Sequence, residues 1–141
     1  MVDIDCTLEP TTPAIEIAFP AGMPGFPRAH RFQLAPIGDA RSPFLLLIST
    51  DDPSARFVVV SPWVFHPDYE FVLDDADNDR LSLRDARDAM VFCMVTLRDT
   101  PRAATLNMVG PIVVNRRTLE GAQVVVPAIG YGLRAPLAAA S

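Results

Sequence analysis

The chain has 141 residues, of which 50% are hydrophobic and 21% are charged. This composition is typical of one globular domain and excludes a disordered chain. The formal net charge is −5, and all twelve basic residues are arginine. Because phosphate binding needs clustered Lys or Arg, an acidic chain is a poor candidate for binding nucleic acid and a better one for a basic protein. We therefore expect a single domain over residues 1–141 that binds protein.

Two segments bear on where the protein is located: the N-terminus and the longest apolar run. Residues 1–5 are acidic, where a signal peptide would be basic. The run over residues 89–95 is far shorter than the roughly 20 residues that a membrane helix needs. Cys6 and Cys93 have no framework spacing, so we expect reduced thiols, with Cys93 buried in a strand. The sequence predicts a cytoplasmic protein without membrane contact.

Fourteen scattered prolines disfavour long helices and long central strands, because each proline fixes φ and removes a backbone donor. Short extended segments separated by Pro, Gly and Asp predict strands over residues 15–19, 31–37, 44–49 and 57–60. The turn at residues 50–53 contains carboxylates that can accept backbone N–H bonds, and it predicts a hairpin between the last two of these strands.

The second half of the chain predicts one helical region and three more strands. Asp74 and Asp75 are suited to cap a short helix within residues 74–88, with Leu81, Ala86 and Ala89 on its apolar side. Residues 90–97 begin apolar on both faces, as in a central strand, and residues 112–114 and 124–126 flank a turn ending at Gly121. The fold class is mainly β: a single compact antiparallel β-barrel or roll of about eight or nine short strands, with at most one or two short helices.

Two motifs imitate ligand sites and fail on inspection. The stretch Gly130-Tyr131-Gly132-Leu133-Arg134-Ala135 resembles a dinucleotide fingerprint, but no βαβ unit can follow it before Ser141. The acidic run at residues 75–79 resembles the start of a calcium loop, but Arg80 and Ala86 stand where that loop needs Gly and Glu.

The remaining chemistry-bearing residues also lack a recognisable arrangement. His30 and His66 have no ligand at metal spacing, and no serine lies in a nucleophile elbow. We predict no enzyme activity, no cofactor and no metal, although folding can still bring distant residues together into a site.

The segment from Trp63 to Asp79 combines aromatic and acidic residues. Trp63, Phe65, Tyr69 and Phe71 lie close in sequence to six acids within residues 68–79, a range that contains no basic residue. Aromatic residues with a polar group make good interface anchors, and acidic neighbours attract a basic partner. The alternative is that the aromatic residues are core and the acids solvate a loop.

Several blocks occur in a fixed order along the chain: Phe19-Pro20-Ala21-Gly22-Met23-Pro24-Gly25-Phe26, Asp51-Asp52-Pro53, Phe57-Val58-Val59-Val60, Phe65-His66-Pro67-Asp68-Tyr69-Glu70, Asn107-Met108-Val109-Gly110-Pro111-Ile112-Val113-Val114-Asn115 and Gly121-Ala122-Gln123-Val124-Val125, followed by Tyr131, Arg134, Pro136 and Leu137. In this order and spacing, over residues 15–137, they resemble the flagellar assembly factor FliW family. The chain departs from the family at Pro27, commonly an acidic residue, and at Met108, usually leucine.

The resemblance implies a β-barrel-like, cytoplasmic protein without enzyme activity that has two alternative partners. One is newly made flagellin, held through its C-terminal helical region before export. The other is the carbon storage regulator CsrA, an RNA-binding repressor of flagellin translation, which the family antagonises away from its RNA site. When flagellin is exported, the freed protein sequesters the repressor and flagellin translation rises.

We place two candidate surfaces on this chain. The repressor-facing surface comprises Phe65, Asp68, Tyr69, Glu70, Asp74 and Asp75, where charge lies beside aromatic residues. The flagellin-facing site comprises Asn107, Met108 and Asn115, because amides that donate and accept flank an apolar strand. The alternative for both asparagines is that they stabilise turns.

Two other functions stay open from the residues alone. A small barrel can bind a small molecule in its mouth. A barrel of this kind can also stack single-stranded RNA on aromatic residues, although the chain lacks a basic groove.

Overall fold

A computed structural model describes residues 15–38, 42–67, 69–96 and 104–126, and the backbone of residues 135–136. Within these ranges the chain is mainly β, with nine strands, one α-helix and two short 3-10 helices at Pro62–Val64 and Ala86–Asp88. The strands are β1 (Ile15–Ala18), β2 (Arg31–Pro36), β3 (Leu45–Ser49), β4 (Arg56–Val60), β5 (Ala89–Thr96), β6 (Thr105–Leu106), β7 (Ile112–Asn115), β8 (Gly121–Gln123) and β9 (Ala135–Pro136), and the helix is α1 (Asp75–Leu81).

The strands form one antiparallel sheet in the order β1-β2-β3-β4-β5-β6-β9, with β7 paired to β5 and β8 paired to β7. β5 divides its length among three partners: its first half pairs with β7, and its second half pairs with β4 and β6. A parallel bridge between Ala18 and Glu120 joins the end of β1 to the β7–β8 hairpin. The sheet is therefore curled into a nearly closed barrel, and the predicted fold class is confirmed.

β2 shows how the sequence pattern produces this sheet. Phe32 and Leu34 are buried, whereas Arg31 and Gln33 point outward, because successive side chains of a strand face opposite sides. The buried side contributes to a first core cluster with aromatic contacts: the ring centroids of Phe32 and Phe19 lie 4.8 Å apart.

β5 is covered on both faces, as predicted from its apolar run. Met90 faces the first core cluster, Val91 belongs to a second cluster with Leu81 of α1, and Cys93 belongs to a third. Burial raises the pKa of the Cys93 thiol to about 12, because a thiolate loses its hydration there. Cys6 lies outside the described residues.

The predicted hairpin between β3 and β4 is confirmed, including the role of its carboxylates. Asp51 accepts hydrogen bonds from the Ser49 hydroxyl at 2.6 Å and from the backbone N–H of His30, and Asp52 accepts from Ser54. The Ser49 hydrogen bond is the main reason that the pKa of Asp51 lies below its usual value.

The helix prediction was too long. α1 ends at Leu81 because Ser82 adopts a left-handed conformation with φ +55°. Ala86 is exposed in a 3-10 turn and Ala89 already begins β5, so neither lies on the apolar side of the helix.

The second predicted hairpin is present as β7 and β8, but its second strand lies three residues earlier than predicted. Gly121 begins β8 instead of ending the turn, and β8 ends at Gln123, so the predicted strand over residues 124–126 is wrong. Val124 and Val126 still donate backbone hydrogen bonds to Pro111 and Val109. A Cβ at Gly121 would lie 3.0 Å from Val114 Cγ2 and 3.2 Å from the Val113 carbonyl oxygen, so a larger residue there would need its neighbours to shift. β6 and β9, of two residues each, are too short for sequence periodicity to reveal.

Candidate protein-interaction surface

The connection from β4 to β5, residues 61–88, carries α1 and most of the acidic segment. Its fixed point is Tyr69, which is 2% exposed and donates its hydroxyl hydrogen to the Met108 carbonyl at 2.7 Å. Trp63 packs against Tyr69 with ring centroids 5.9 Å apart, and its indole N–H donates to the Tyr69 carbonyl at 2.8 Å. The aromatic residues therefore fasten the connection to the barrel before α1 begins.

Both ends of α1 are also held by side chains. Asp74 caps the N-terminus by accepting a hydrogen bond from the Asp77 backbone N–H at 2.8 Å, which satisfies one free donor of the first turn. At the other end Asn115 Nδ2 donates to the carbonyls of Leu81 at 2.8 Å and Ser82 at 3.2 Å. Leu81 is the residue of α1 that packs into the core.

The acidic residues of this connection form an exposed surface. Glu70, Asp74, Asp75 and Asp79 are exposed, and the one basic residue of α1, Arg80, forms an ion pair with Asp77 at 2.7 Å. The surface consequently keeps a negative charge, which attracts cationic partners over distances of about one Debye length, roughly 8–10 Å at physiological salt. We call Glu70, Asp74, Asp75 and Asp79 the acidic surface.

An apolar groove of about 620 Å³ lies beside the acidic surface. Its apolar walls come from the connection and from the outer side of the barrel: Trp63, Phe71, Val72, Leu73, Leu83, Ala89, Val91 and Val113. Trp63 is 41% exposed and Val72 is 80% exposed. Glu70, Arg84 and Asp85 supply charges at the same groove, and Arg87 holds the pKa of Asp85 below its usual value.

Exposed apolar side chains next to exposed acids suit a protein partner whose contact face is apolar and basic. Such anchors supply most of the binding energy of an interface, while the charges accelerate encounter. Among the described residues no group of three or more His, Cys, Asp or Glu side chains could hold a metal ion. None of the helices in the described ranges has the length and apolar character to span a membrane.

The structure corrects the predicted aromatic contribution to the repressor-facing surface. Tyr69 is buried, and Phe65 is half-buried against Phe44, with ring centroids 6.0 Å apart, so both belong to the core. Glu70, Asp74 and Asp75 are each exposed, whereas Asp68 is outside the described residues. Trp63, which the sequence interpretation had named among the aromatic residues, is exposed, and Val64 and Val72 are exposed apolar residues of this connection that it did not include. Pro62 begins the 3-10 turn that contains Trp63 and Val64, and this proline is the sequence feature that could have indicated the turn.

The predicted flagellin-facing residues also turn inward. Met108 and Asn115 are 0% exposed. In this conformation their side chains cannot contact a partner that binds at the surface. Asn115 Oδ1 accepts hydrogen bonds from the backbone of Arg117 and Thr118, and Asn107 Oδ1 accepts one from Gly110 at 2.9 Å. These bonds match the alternative that the asparagines stabilise turns, because each closes a turn locally.

Comparisons with known proteins agree with this fold. The family model described as FliW protein matches residues 5–137. A flagellar assembly factor FliW of Desulfitobacterium hafniense is 39% identical over 128 residues, covering 91% of this chain and 83% of that protein. The same-named protein of Bacillus licheniformis is 35% identical over 121 residues, covering 86% and 84%.

A solved structure gives the same result in three dimensions. The crystal structure of the flagellar assembly factor FliW matches with a TM-score of 0.80 and 30% sequence identity, covering 86% of this chain and 84% of that chain. The relatives are named as assembly factors and not as enzymes. Sequence, curated relatives and fold thus agree, and the chain belongs to the FliW family of flagellar assembly factors.

Proposed function

We propose that this chain is a cytoplasmic, non-enzymatic, single-domain regulator that binds flagellin and, in alternation, the translational repressor CsrA. Export of flagellin frees the chain to bind the repressor, which couples flagellin translation to flagellin export. The observation that carries the proposal is membership of the FliW family over residues 5–137. The acidic surface and the apolar groove supply the physical means, and no contact with nucleic acid or membrane is part of the function.

The acidic surface is proposed as the repressor-binding surface. An RNA-binding protein carries basic surface, so a repressor of this kind is attracted to exposed Glu70, Asp75 and Asp79. Binding of the repressor to acidic residues of this chain does not require the residues with which the repressor contacts RNA. The encounter depends on ionic strength, because the attraction is between solvated charges.

The groove is proposed as the flagellin-binding site. A segment that is disordered before assembly and folds as an amphipathic helix can place its apolar side on Trp63, Val72 and Leu73. The groove and the acidic surface adjoin at Glu70, which belongs to both. Occupation of one therefore hinders occupation of the other, and this negative coupling is sufficient for a switch.

A charge-reversal pair tests the repressor surface. Glu70→Arg is compared with Glu16→Arg, because both glutamates are exposed and both changes alter the net charge equally. We expect Glu70→Arg to weaken CsrA binding and to flatten its dependence on salt, with a further loss when Asp75→Arg is added. Equal affinities and equal salt dependence in the Glu70→Arg and Glu16→Arg variants would place the repressor elsewhere.

A second pair tests the groove. Val72 and Val125 are 80% and 81% exposed, but only Val72 is among the residues that line the groove. Val72→Asp is expected to weaken flagellin binding in calorimetry, whereas Val125→Asp is expected to bind normally. The groove assignment fails if both variants bind flagellin like the unmodified chain, and the proposed function fails if the unmodified chain captures neither flagellin nor CsrA from a flagellin-producing cytoplasm.

A further inference from the structure

A second cavity adjoins the groove at Trp63, and none of the four acidic-surface residues lines it. It has a volume of about 460 Å³, within the roughly 300–1,000 Å³ of small-molecule sites. Its apolar wall comes from Ile15, Leu34 and Leu45 of the first three strands and from Met90, Val91 and Phe92 of β5. This cavity, which we call the strand pocket, therefore opens over the first core cluster of the barrel.

Among the described residues one charged side chain lines the strand pocket, and it is held in place. Arg116 is half-buried, and its Nε donates to the Arg87 carbonyl at 3.2 Å. That bond leaves the two terminal nitrogens of the guanidinium for other acceptors. Arg80, Arg87 and Arg117 each pair with a carboxylate, but no ion pair to Arg116 occurs within the ranges that the structure describes.

The chemistry of the pocket defines a ligand class. Aliphatic walls favour a hydrocarbon chain, because burial contributes about 25 cal/mol per Å² of apolar surface. A planar guanidinium favours a carboxylate, which it can bind through two parallel hydrogen bonds. Two serines, Ser42 and Ser61, add hydroxyl groups to the lining.

We propose that the strand pocket binds a single-chain amphiphile with an anionic carboxylate head, its chain against Leu34, Leu45 and Met90 and its head at Arg116. This site is inferred without reliance on the flagellin and CsrA binding proposed above. It also gives the barrel a small-molecule site separate from the groove, although the two cavities share Trp63, Ala89 and Val91.

The shared tryptophan makes the proposal directly measurable. Trp63 is the one tryptophan of the 141-residue chain, so its fluorescence reports on a ligand in the strand pocket. We expect titration with decanoate, below its micelle-forming concentration, to change the emission saturably with one site per chain. Decanol, which has the same chain without the charge, is expected to bind at least about tenfold more weakly, a difference of about 1.4 kcal/mol.

Three variants locate the site. Arg116→Gln is expected to reduce decanoate affinity about tenfold or more and to leave decanol affinity unchanged. Arg84→Gln is the control, because Arg84 lines the groove and not the strand pocket. Ser61→Leu fills the strand pocket at a residue whose side chain makes no capping bond, so it should abolish binding without lowering the melting temperature.

Each contrary outcome overturns the proposal. Absence of a saturable change with decanoate means that the pocket takes no such ligand. Equal binding of decanol and decanoate removes the role of Arg116. Weaker decanoate binding in Arg84→Gln, with normal binding in Arg116→Gln, moves the ligand to the groove. These results do not depend on flagellin or CsrA, so their failure leaves the proposed function unaffected.

Discussion

The meander β1–β4 and the connection between β4 and β5 are stabilised in different ways. In the meander, consecutive strands pair along their length, from the β1–β2 pair Ile15–Leu34 to the β3–β4 pair Leu45–Val59. In the connection, single side-chain hydrogen bonds to distant backbone carbonyls hold the chain, from Tyr69 to Met108 and from Asn115 to Leu81. The meander thus has distributed support, whereas the connection depends on a few bonds.

This difference predicts different responses to mutation. Loss of a core residue in the meander should destabilise the whole domain, because that core also contains residues of β5 and β7 and a small domain unfolds cooperatively. Loss of a side-chain hydrogen bond in the connection should in addition open α1 locally, because local stability follows local contacts. Since α1 carries Asp75 and Asp79 of the acidic surface, the second kind of change should also disturb partner binding.

The largest effect is expected from Phe32→Ala. Phe32 is 0% exposed and its ring lies 4.8 Å from that of Phe19. Removing a buried phenylalanine side chain costs about 3–5 kcal/mol in the free energy of unfolding. Urea denaturation measures this loss, with Gln33→Ala on the exposed side of the same strand as the control, expected within about 0.5 kcal/mol of the unmodified chain. Similar losses in both variants would contradict the one-sided burial of β2.

Asn115→Ala should show the second largest effect. The change leaves the buried carbonyl of Leu81 without its side-chain partner, and a buried polar group left unsatisfied costs about 1–3 kcal/mol; the N–H of Arg117 also loses its acceptor, but this residue is exposed. Hydrogen exchange should increase in α1 more than in β2 and β3. Asn107→Ala is the control, because Asn107 accepts one bond in a half-buried position. Equal exchange in α1 and the meander would end the distinction between the two regions.

The meander was predictable because its signals are local. Alternation at residues 31–34 and the Asp51-Asp52-Pro53 turn specify strands and a hairpin within a few residues of sequence. The helix end was less predictable, because a left-handed serine at position 82 is stabilised by Asn115 and Arg117, more than 30 residues away. Sequence periodicity contains no information about such partners.

The candidate surface also has features that the sequence predicts and features that it does not. The charge of Glu70, Asp74 and Asp75 could be read from composition, and helix capping by Asp74 from its position. The burial of Tyr69 and Met108 could not, because the bond between them joins residues 39 positions apart. Amphipathic residues such as tyrosine are common at interfaces and in cores alike, so only the packing decides between the two.

Tyr69→Phe tests how much one hydrogen bond contributes to holding the connection, and its expected effect is smaller. The ring stays in the core, and the hydroxyl bond to the Met108 carbonyl is lost. We expect a loss of about 1–2 kcal/mol in unfolding free energy, because that carbonyl is left unsatisfied in a buried place. Thermal unfolding measures the loss, and Phe71→Leu, at a half-buried ring without a hydroxyl, provides a packing reference. An unchanged melting temperature for Tyr69→Phe would mean that packing alone holds the connection.

The smallest effect is expected at the start of α1. Asp74→Ala removes the bond to the Asp77 backbone N–H, and loss of an N-cap side chain costs about 1 kcal/mol. Asp74→Asn keeps an acceptor for that bond but removes the charge, so its loss should be limited to a helix-dipole contribution of about 0.3–1 kcal/mol. If the alanine and asparagine variants are equally destabilised, charge and not the capping bond fixes the N-terminus of α1. If Asp74→Asn hardly changes stability yet weakens CsrA binding, then the side-chain oxygen of Asp74 caps the helix through its hydrogen bond, and the negative charge of Asp74 attracts the partner.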